Sequence, residues 1–155
     1  MEKISTTRCI QLQPLSHEHA CGAAFIGRVR NGIDKIADER LRKYVLWYWK
    51  NHIRPHFFQE EKILLPYMDA GNMLSVKLKE DHACIRQLVL SLDQHADRQS
   101  FIMLCDLIDE HVRFEEKELF TWLEAHLEED ILNAINRQLL AHPVETSEWS
   151  DCFWQ

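Results

Sequence analysis

Four long segments of the chain repeat apolar residues at helical spacing, and each carries a histidine in its apolar stripe. Leu15, His19, Ala23 and Ile26 share one face of a first helix, with Ser16 placed as its N-cap and Asn31-Gly32 as its stop. A second helix is expected over about residues 34–68, with Val45, Trp49, Ile53, His56, Glu60, Ile63, Leu64 and Tyr67 on its inward face. Pro55 lies inside this helix and cannot donate to the carbonyl of Asn51, which predicts a kink just before His56. Pro66 and Ala70-Gly71 close the segment. A third helix over about 73–94 carries Leu78, His82, Ile85 and Val89, and the polar residues 95–100 form a connection. A fourth over about 99–126 carries Leu104, Ile108, His111, Glu115, Leu119 and Trp122, and a shorter helix over about 129–141 ends before Pro143.

Four long amphipathic helices joined by short links predict an all-α protein, an antiparallel up-down four-helix bundle with a short additional C-terminal helix. Residues 1–13 lack a clear period and read as an N-terminal arm. Residues 14–142 form the bundle with its added helix. The tail, 143–155, holds Trp149, Phe153 and Trp154, apolar enough to pack on the bundle or on another subunit.

Composition supports long helices. The 155 residues are 46% hydrophobic with only four Gly and four Pro, enough for one domain with a real core and too few turn formers for a β fold. The net charge of −7 comes with no Lys/Arg stripe, which argues against nucleic acid as a partner. The longest apolar run, residues 44–49, is far short of a membrane span, and no secretory segment follows Met1, so a cytoplasmic location is expected. Five cysteines, an odd number with no C-x-x-C pair, argue against a disulfide framework or a thiolate zinc site.

The polar residues within the stripes change the picture most. His56 to Leu64 and His111 to Leu119 share the frame His-x-x-x-Glu-Glu-Lys-x-Leu. Residues four apart stack on one helical face, so each copy sets an imidazole beside a carboxylate. One such pair is ordinary in a chain with nine His, and surface pairs that merely support their own helices would look the same. Two copies in one long frame, each inside an apolar stripe, point elsewhere. Burying His19, His56, Glu60, His82, His111 and Glu115 without partners would cost several kcal/mol each, roughly.

A metal removes that cost by making them ligands. Nitrogen and carboxylate donors without thiolate suit iron or manganese, and also zinc. Six donors fit two ions about 3.5 Å apart, with Glu60 and Glu115 bridging and the four His capping the ends. His95, His126 and His142 fall on links or near helix ends and read as surface residues. His17 and His52 stay open as further ligands. No His has a Glu three residues before it, so the Glu-x-x-His pairing of ferritin-like di-iron bundles is absent.

Glu18-His19, His56-Phe57-Phe58-Gln59-Glu60-Glu61, Glu80-Asp81-His82 and His111-Val112-Arg113-Phe114-Glu115-Glu116 resemble, in order and spacing, the hemerythrin-like (HHE cation-binding) family over roughly residues 14–126. The tail Trp149-Ser150-Asp151-Cys152-Phe153-Trp154 also resembles the ending of small bacterial members. The resemblance implies a non-haem di-iron site, oxo- or hydroxo-bridged, with His19, His56, Glu60, His82, His111 and Glu115 as ligands and dioxygen or nitric oxide as the bound molecule. Two departures from the oxygen carriers of that family stand out. Leu78 occupies the position of their extra histidine, and Glu115 follows His111 by four where they have Asp at five. The second feature resembles the iron–sulfur-repair branch. Thr121 replaces a Pro that often follows the motif, with no evident effect on a metal.

The first functional reading is therefore a small-ligand-binding protein, as carrier, sensor or iron store, with Ile53, Leu78, Ile85 and Ile108 keeping water from the metal. The alternative is a di-iron enzyme acting on peroxide or nitric oxide, or an iron donor for cluster repair, with Tyr67 as a candidate proton source. A bundle without native metal is the third.

Overall fold

The computed structural model describes residues 8–144 and 147–155, and among these it is all-helical, with no strand. We label the long helical runs α1 (Gln13–Gly32), α2 (residues 38–67), α3 (Met73–Gln94), α4 (residues 98–126) and α5 (Glu129–Ala141). Residues 1–7 of the expected arm lie outside the described residues. Its remainder holds a 3-10 turn, Ile10–Leu12, that leads into α1 and buries Leu12 completely. Helix α1 thus starts before Ser16, which is a buried residue of its first turn and not a cap. Helix α2 begins at Asp38, later than the hydrophobic pattern implied. Residues 33–37 turn instead, with Ile33 and Ile36 packed on the core and Asp38 and Glu39 at the positive end of the helix. Two starts are fixed by side-chain caps: Asn72 accepts from the Leu74 N–H at 2.9 Å, and Asp97 from the Ser100 N–H at 2.8 Å.

Two of the long runs are not uniform α-helix. Trp49–Ile53 and Glu60–Leu64 in α2, and Glu115–Leu119 in α4, wind as π turns. Just before Pro55 the chain widens into a π turn, and the Arg54 N–H reaches back five residues to Trp49. Each π turn adds a residue and rotates the remainder of its helix. After Glu115 the buried residues are Leu119, Phe120 and Leu123, and the expected Trp122 is only partly covered. After Glu60 they are Ile63, Leu64 and Met68, with Tyr67 partly covered.

The core has two apolar clusters, and every one of α1 to α4 contributes to both. Along α1, Leu15 belongs to one and Phe25 to the other, with His19 between them in sequence. Along α2 the order is Phe57 then Ile63, with Glu60 between; along α3, Leu78 then Ile85, with His82 between; along α4, Ile108 then Leu119, with His111 and Glu115 between. Polar residues therefore occupy a layer bounded by apolar residues at each end. Helix α5 closes one end, where Asn136 donates to the Gln11 carbonyl at 3.1 Å and Gln59 donates to the His142 carbonyl at 2.7 Å. At the other end Trp149, Phe153 and Trp154 pack around Tyr44, and Arg40 forms a bidentate ion pair with Asp151.

Candidate metal centre

All six residues singled out by the stripes are buried and meet in that polar layer, Glu60 and Glu115 with no exposure at all. They form two groups of four whose donor atoms lie within 4.8 Å of one another: His19, His56, Glu60 and Glu115, and Glu60, His82, His111 and Glu115. Both carboxylates belong to both groups. Glu115 turns Oε2 to His19 Nε2 at 3.0 Å and Oε1 to His111 Nε2. Glu60 Oε1 lies 3.3 Å from Nε2 of both His56 and His82. Within each group the imidazole Nε2 atoms face each other, at 3.1 Å for His19 and His56 and 3.2 Å for His82 and His111.

The outward nitrogens decide what these inward ones are. His19 Nδ1 donates to Glu116 at 2.8 Å, His111 Nδ1 to Asp81 at 2.9 Å and His82 Nδ1 to Glu61 at 3.3 Å, and His56 Nδ1 meets Glu18. A carboxylate at Nδ1 holds a proton there and leaves Nε2 a lone pair. Two lone pairs in contact beside two buried carboxylates repel one another unless positive charge lies among them. All four oxygens of Glu60 and Glu115 are shielded and lack a hydrogen-bond partner among the described residues. Such orphaned acceptors are costly, and a cation satisfies them together.

The titration of these groups expresses the same demand for positive charge. Burial lowers the pKa of His19, but the Glu115 and Glu116 carboxylates beside it more than offset that and hold the group up to about 9. His111 is also raised, its burial outweighed by Glu115 and Asp81. His56 is lowered by burial despite Glu18. Burial and the neighbouring Glu115 push Glu60 well above the carboxylate range. Without a cation, His19, His111 and Glu60 hold protons more tightly than usual.

The four outer carboxylates form a closed ring that the stripes alone did not reveal. Glu18 on α1 holds His56 on α2, Glu61 on α2 holds His82 on α3, Asp81 on α3 holds His111 on α4, and Glu116 on α4 returns to His19 on α1. The available signal was adjacency: each of these acids sits one residue from an inward donor, in Glu18-His19, Glu60-Glu61, Asp81-His82 and Glu115-Glu116. Arg8, buried, backs Glu116 with an ion pair at 3.3 Å. Aromatic rings fix the imidazole planes as well. Phe57 stacks on His82 at 3.7 Å between centroids, and Phe120 on His19 at 5.5 Å.

The remaining histidines lie elsewhere. His17 is exposed. His52, one turn before His56 on an ideal helix, stacks on Tyr48 and lies 3.3 Å from the Ser147 carbonyl, carried away from the centre by the π turn. His95, His126 and His142 are exposed. Leu78 is fully buried within an apolar cluster, and Ile53, Ile85 and Ile108 are buried. Among the described residues, no hydrogen bond links Tyr67 to Glu60 or Glu115.

Comparison with curated proteins and with solved structures returned no match in either. Comparison with protein families matched the hemerythrin HHE cation-binding domain over residues 11–130, a span that includes every inward donor and every outer carboxylate. A buried layer of imidazole and carboxylate that could hold metal ions, carried on the segments this match covers, places the chain in the hemerythrin HHE cation-binding domain family.

Proposed function

We propose that the chain holds two iron ions at this centre, with His19 and His56 on one, His82 and His111 on the other, and Glu60 and Glu115 shared, and that it binds dioxygen or nitric oxide there. The observation that carries the reading is the sharing: both four-residue groups contain the same two carboxylates, and Glu115 turns one oxygen to each. The order in which α1 to α4 pass the two apolar clusters, reversed at each successive run, supports an antiparallel up-down four-helix bundle as the frame. Iron held by nitrogen and carboxylate donors supplies reactivity toward small diatomic molecules, and the same donors accept zinc or manganese.

The protein's own contribution is orientation and exclusion. The ring of outer carboxylates fixes all four imidazole tautomers, and Phe57 and Phe120 fix two of the ring planes. Ile53, Ile85 and Ile108 set buried apolar side chains beside the polar layer. All five cysteines are free, which suits the reducing cytoplasm we assign to the protein.

One observation favours a second reading. Leu78, which the resemblance sets at the position of the oxygen carriers' extra histidine, is a buried apolar side chain, so six protein donors would serve two ions. That open coordination suits turnover of peroxide or nitric oxide, or release of iron for cluster repair. The two readings separate in one experiment. The iron-loaded chain is prepared without oxygen, its optical spectrum is followed as air is admitted, and oxygen is then removed. Bands that form and reverse support binding; bands that form and persist, with iron released or peroxide consumed, support the second reading and contradict the first.

A further inference from the structure

Arg8 stands before residue 11, where the family match begins, yet its side chain is only 5% exposed. A buried charge needs partners. Arg8 finds them on Glu116, Phe120 and Glu124, which follow one another at intervals of four along α4. Its Nη2 donates to the Glu116 carbonyl and lies 3.3 Å from the Glu116 carboxylate. Its Nη1 pairs with Glu124 Oε1, and the other oxygen of Glu124 accepts from the Cys9 N–H at 2.9 Å, which ties the arm to α4. The guanidinium also sits 5.4 Å from the centre of the Phe120 ring. A planar fork of donors can serve a side-chain and a main-chain acceptor together, as a lysine ammonium cannot.

Two of these three residues lead to the same imidazole. Glu116 accepts from His19 Nδ1 at 2.8 Å, and Phe120 stacks on the His19 ring with the planes 5° apart. The carbonyl that Arg8 meets lies in the π turn Glu115–Leu119, immediately before Phe120. One guanidinium therefore touches the carboxylate, the backbone turn and the aromatic ring that hold His19. The other imidazoles are held by different groups: His56 by Glu18, His82 by Glu61 and Phe57, and His111 by Asp81. The outer acids also differ in their access to water. The Glu116 side chain is 10% exposed, against 20% for Glu18, 30% for Glu61 and 22% for Asp81. Water can hydrate the last three, whereas at Glu116 the charge of Arg8 takes its place.

We propose that Arg8 is a positioning residue for this centre: from the N-terminal arm it fixes Glu116 and Phe120 against His19, and so governs the ion on the His19 and His56 side rather than the ion on the His82 and His111 side. The selectivity between ions rests on the two-ion reading; the hold on the His19 ring does not.

Arg8→Met keeps an apolar stem and removes the fork. Asn136→Ala removes the hydrogen bond from α5 to the Gln11 carbonyl, which loosens the same arm without touching Glu116, Phe120 or His19, and serves as the structural control. Two measurements on the full chain test the proposal. In the metal-free chain, imidazole nitrogen resonances are compared at a single pH. Arg8→Met should move those of His19 and leave those of His82 and His111 in place, which also shows that the variant is folded; Asn136→Ala should move none of them. Zinc is then titrated into all three proteins against a competing chelator. The wild type and Asn136→Ala should bind two equivalents alike, and Arg8→Met should bind one of the two about tenfold more weakly, the low end of what loss of an outer partner costs a metal site. His19 signals that stay in place, or that Asn136→Ala moves equally, overturn the proposal. So do zinc affinities that are unchanged in Arg8→Met or weakened equally at both equivalents. A wild type that takes up fewer than two zinc ions overturns the two-ion reading instead, and with it the selectivity, while the nitrogen signals decide the hold on His19.

Discussion

Glu115 offers Oε2 to one pair of imidazoles and Oε1 to the other, whereas each imidazole serves a single group. Its removal should therefore disturb both ions, and removal of His82 mainly one. The outer carboxylates act through the imidazoles they hold. Asp81→Asn keeps the shape of the side chain but removes the charge at His111 Nδ1, and metal affinity should fall by about 10–100-fold in a competition titration against a chelator. Unchanged affinity would mean that the ring of acids does not tune the site. The imidazoles also give the metal-free chain a pH signature. His19 binds its proton more tightly in the folded chain, at about 9 against an ordinary 6.5, and Glu60 is raised as well. A raised group stabilises the fold below its ordinary pKa and loses that contribution as pH climbs through the raised value. The metal-free chain should thus melt at a lower temperature at pH 9 than at pH 6.5, and loading with metal, which replaces those protons, should remove the fall. A melting temperature that rises over this interval in the metal-free chain would contradict the assignment.

At the scale of the element, four inward donors were legible because His56 and Glu60, and His111 and Glu115, stack on one face at i and i+4, and His19 and His82 because each falls in the apolar stripe of its helix. The π turns were not. A stripe at a period of 3.6 runs through Leu119 to Trp122, but the extra residue in Glu115–Leu119 brings Phe120 and Leu123 inward in its place. The same cause removed His52 from the face of His56. The ring of outer carboxylates was hidden for a different reason: each pair joins two helices, and no spacing within one helix reports which helix is its neighbour. Ends with local chemistry were easier, as at Gly32, Asn72 and Ala141, while the start of α2 depends on the tertiary packing of Ile33 and Ile36. Caps give a local test. Asp97→Ala leaves the Ser100 N–H without its acceptor and should lower stability by about 1 kcal/mol in a denaturant titration; no change would mean that α4 is held at this end by packing alone.

Across the whole molecule, a polar layer lies between two apolar clusters, so folding and metal loading are linked. A ligand that binds only the folded chain, at a thousand times its dissociation constant, adds about 4 kcal/mol, which for a chain of this size is roughly ten degrees in melting temperature. The iron-loaded chain should melt higher than the chelated one by that order, and equal melting temperatures would separate the metal from the fold. The tail is a second cohesive contact. Phe153 packs on Tyr44 with ring centroids 5.1 Å apart and approaches Gly32 so closely that a Cβ there would meet it at 3.0 Å. Phe153→Ala should cost about 2 kcal/mol or more without changing metal content, since none of the tail's described residues supplies an inward donor.

Iron per chain, measured after anaerobic preparation in the wild type and in Glu115→Ala side by side, tests the shared two-ion centre most directly. The account predicts two irons in the wild type and loss of both in the variant, because each group of four loses the same carboxylate. One iron or fewer in the wild type, or a variant that keeps a full ion, would contradict it.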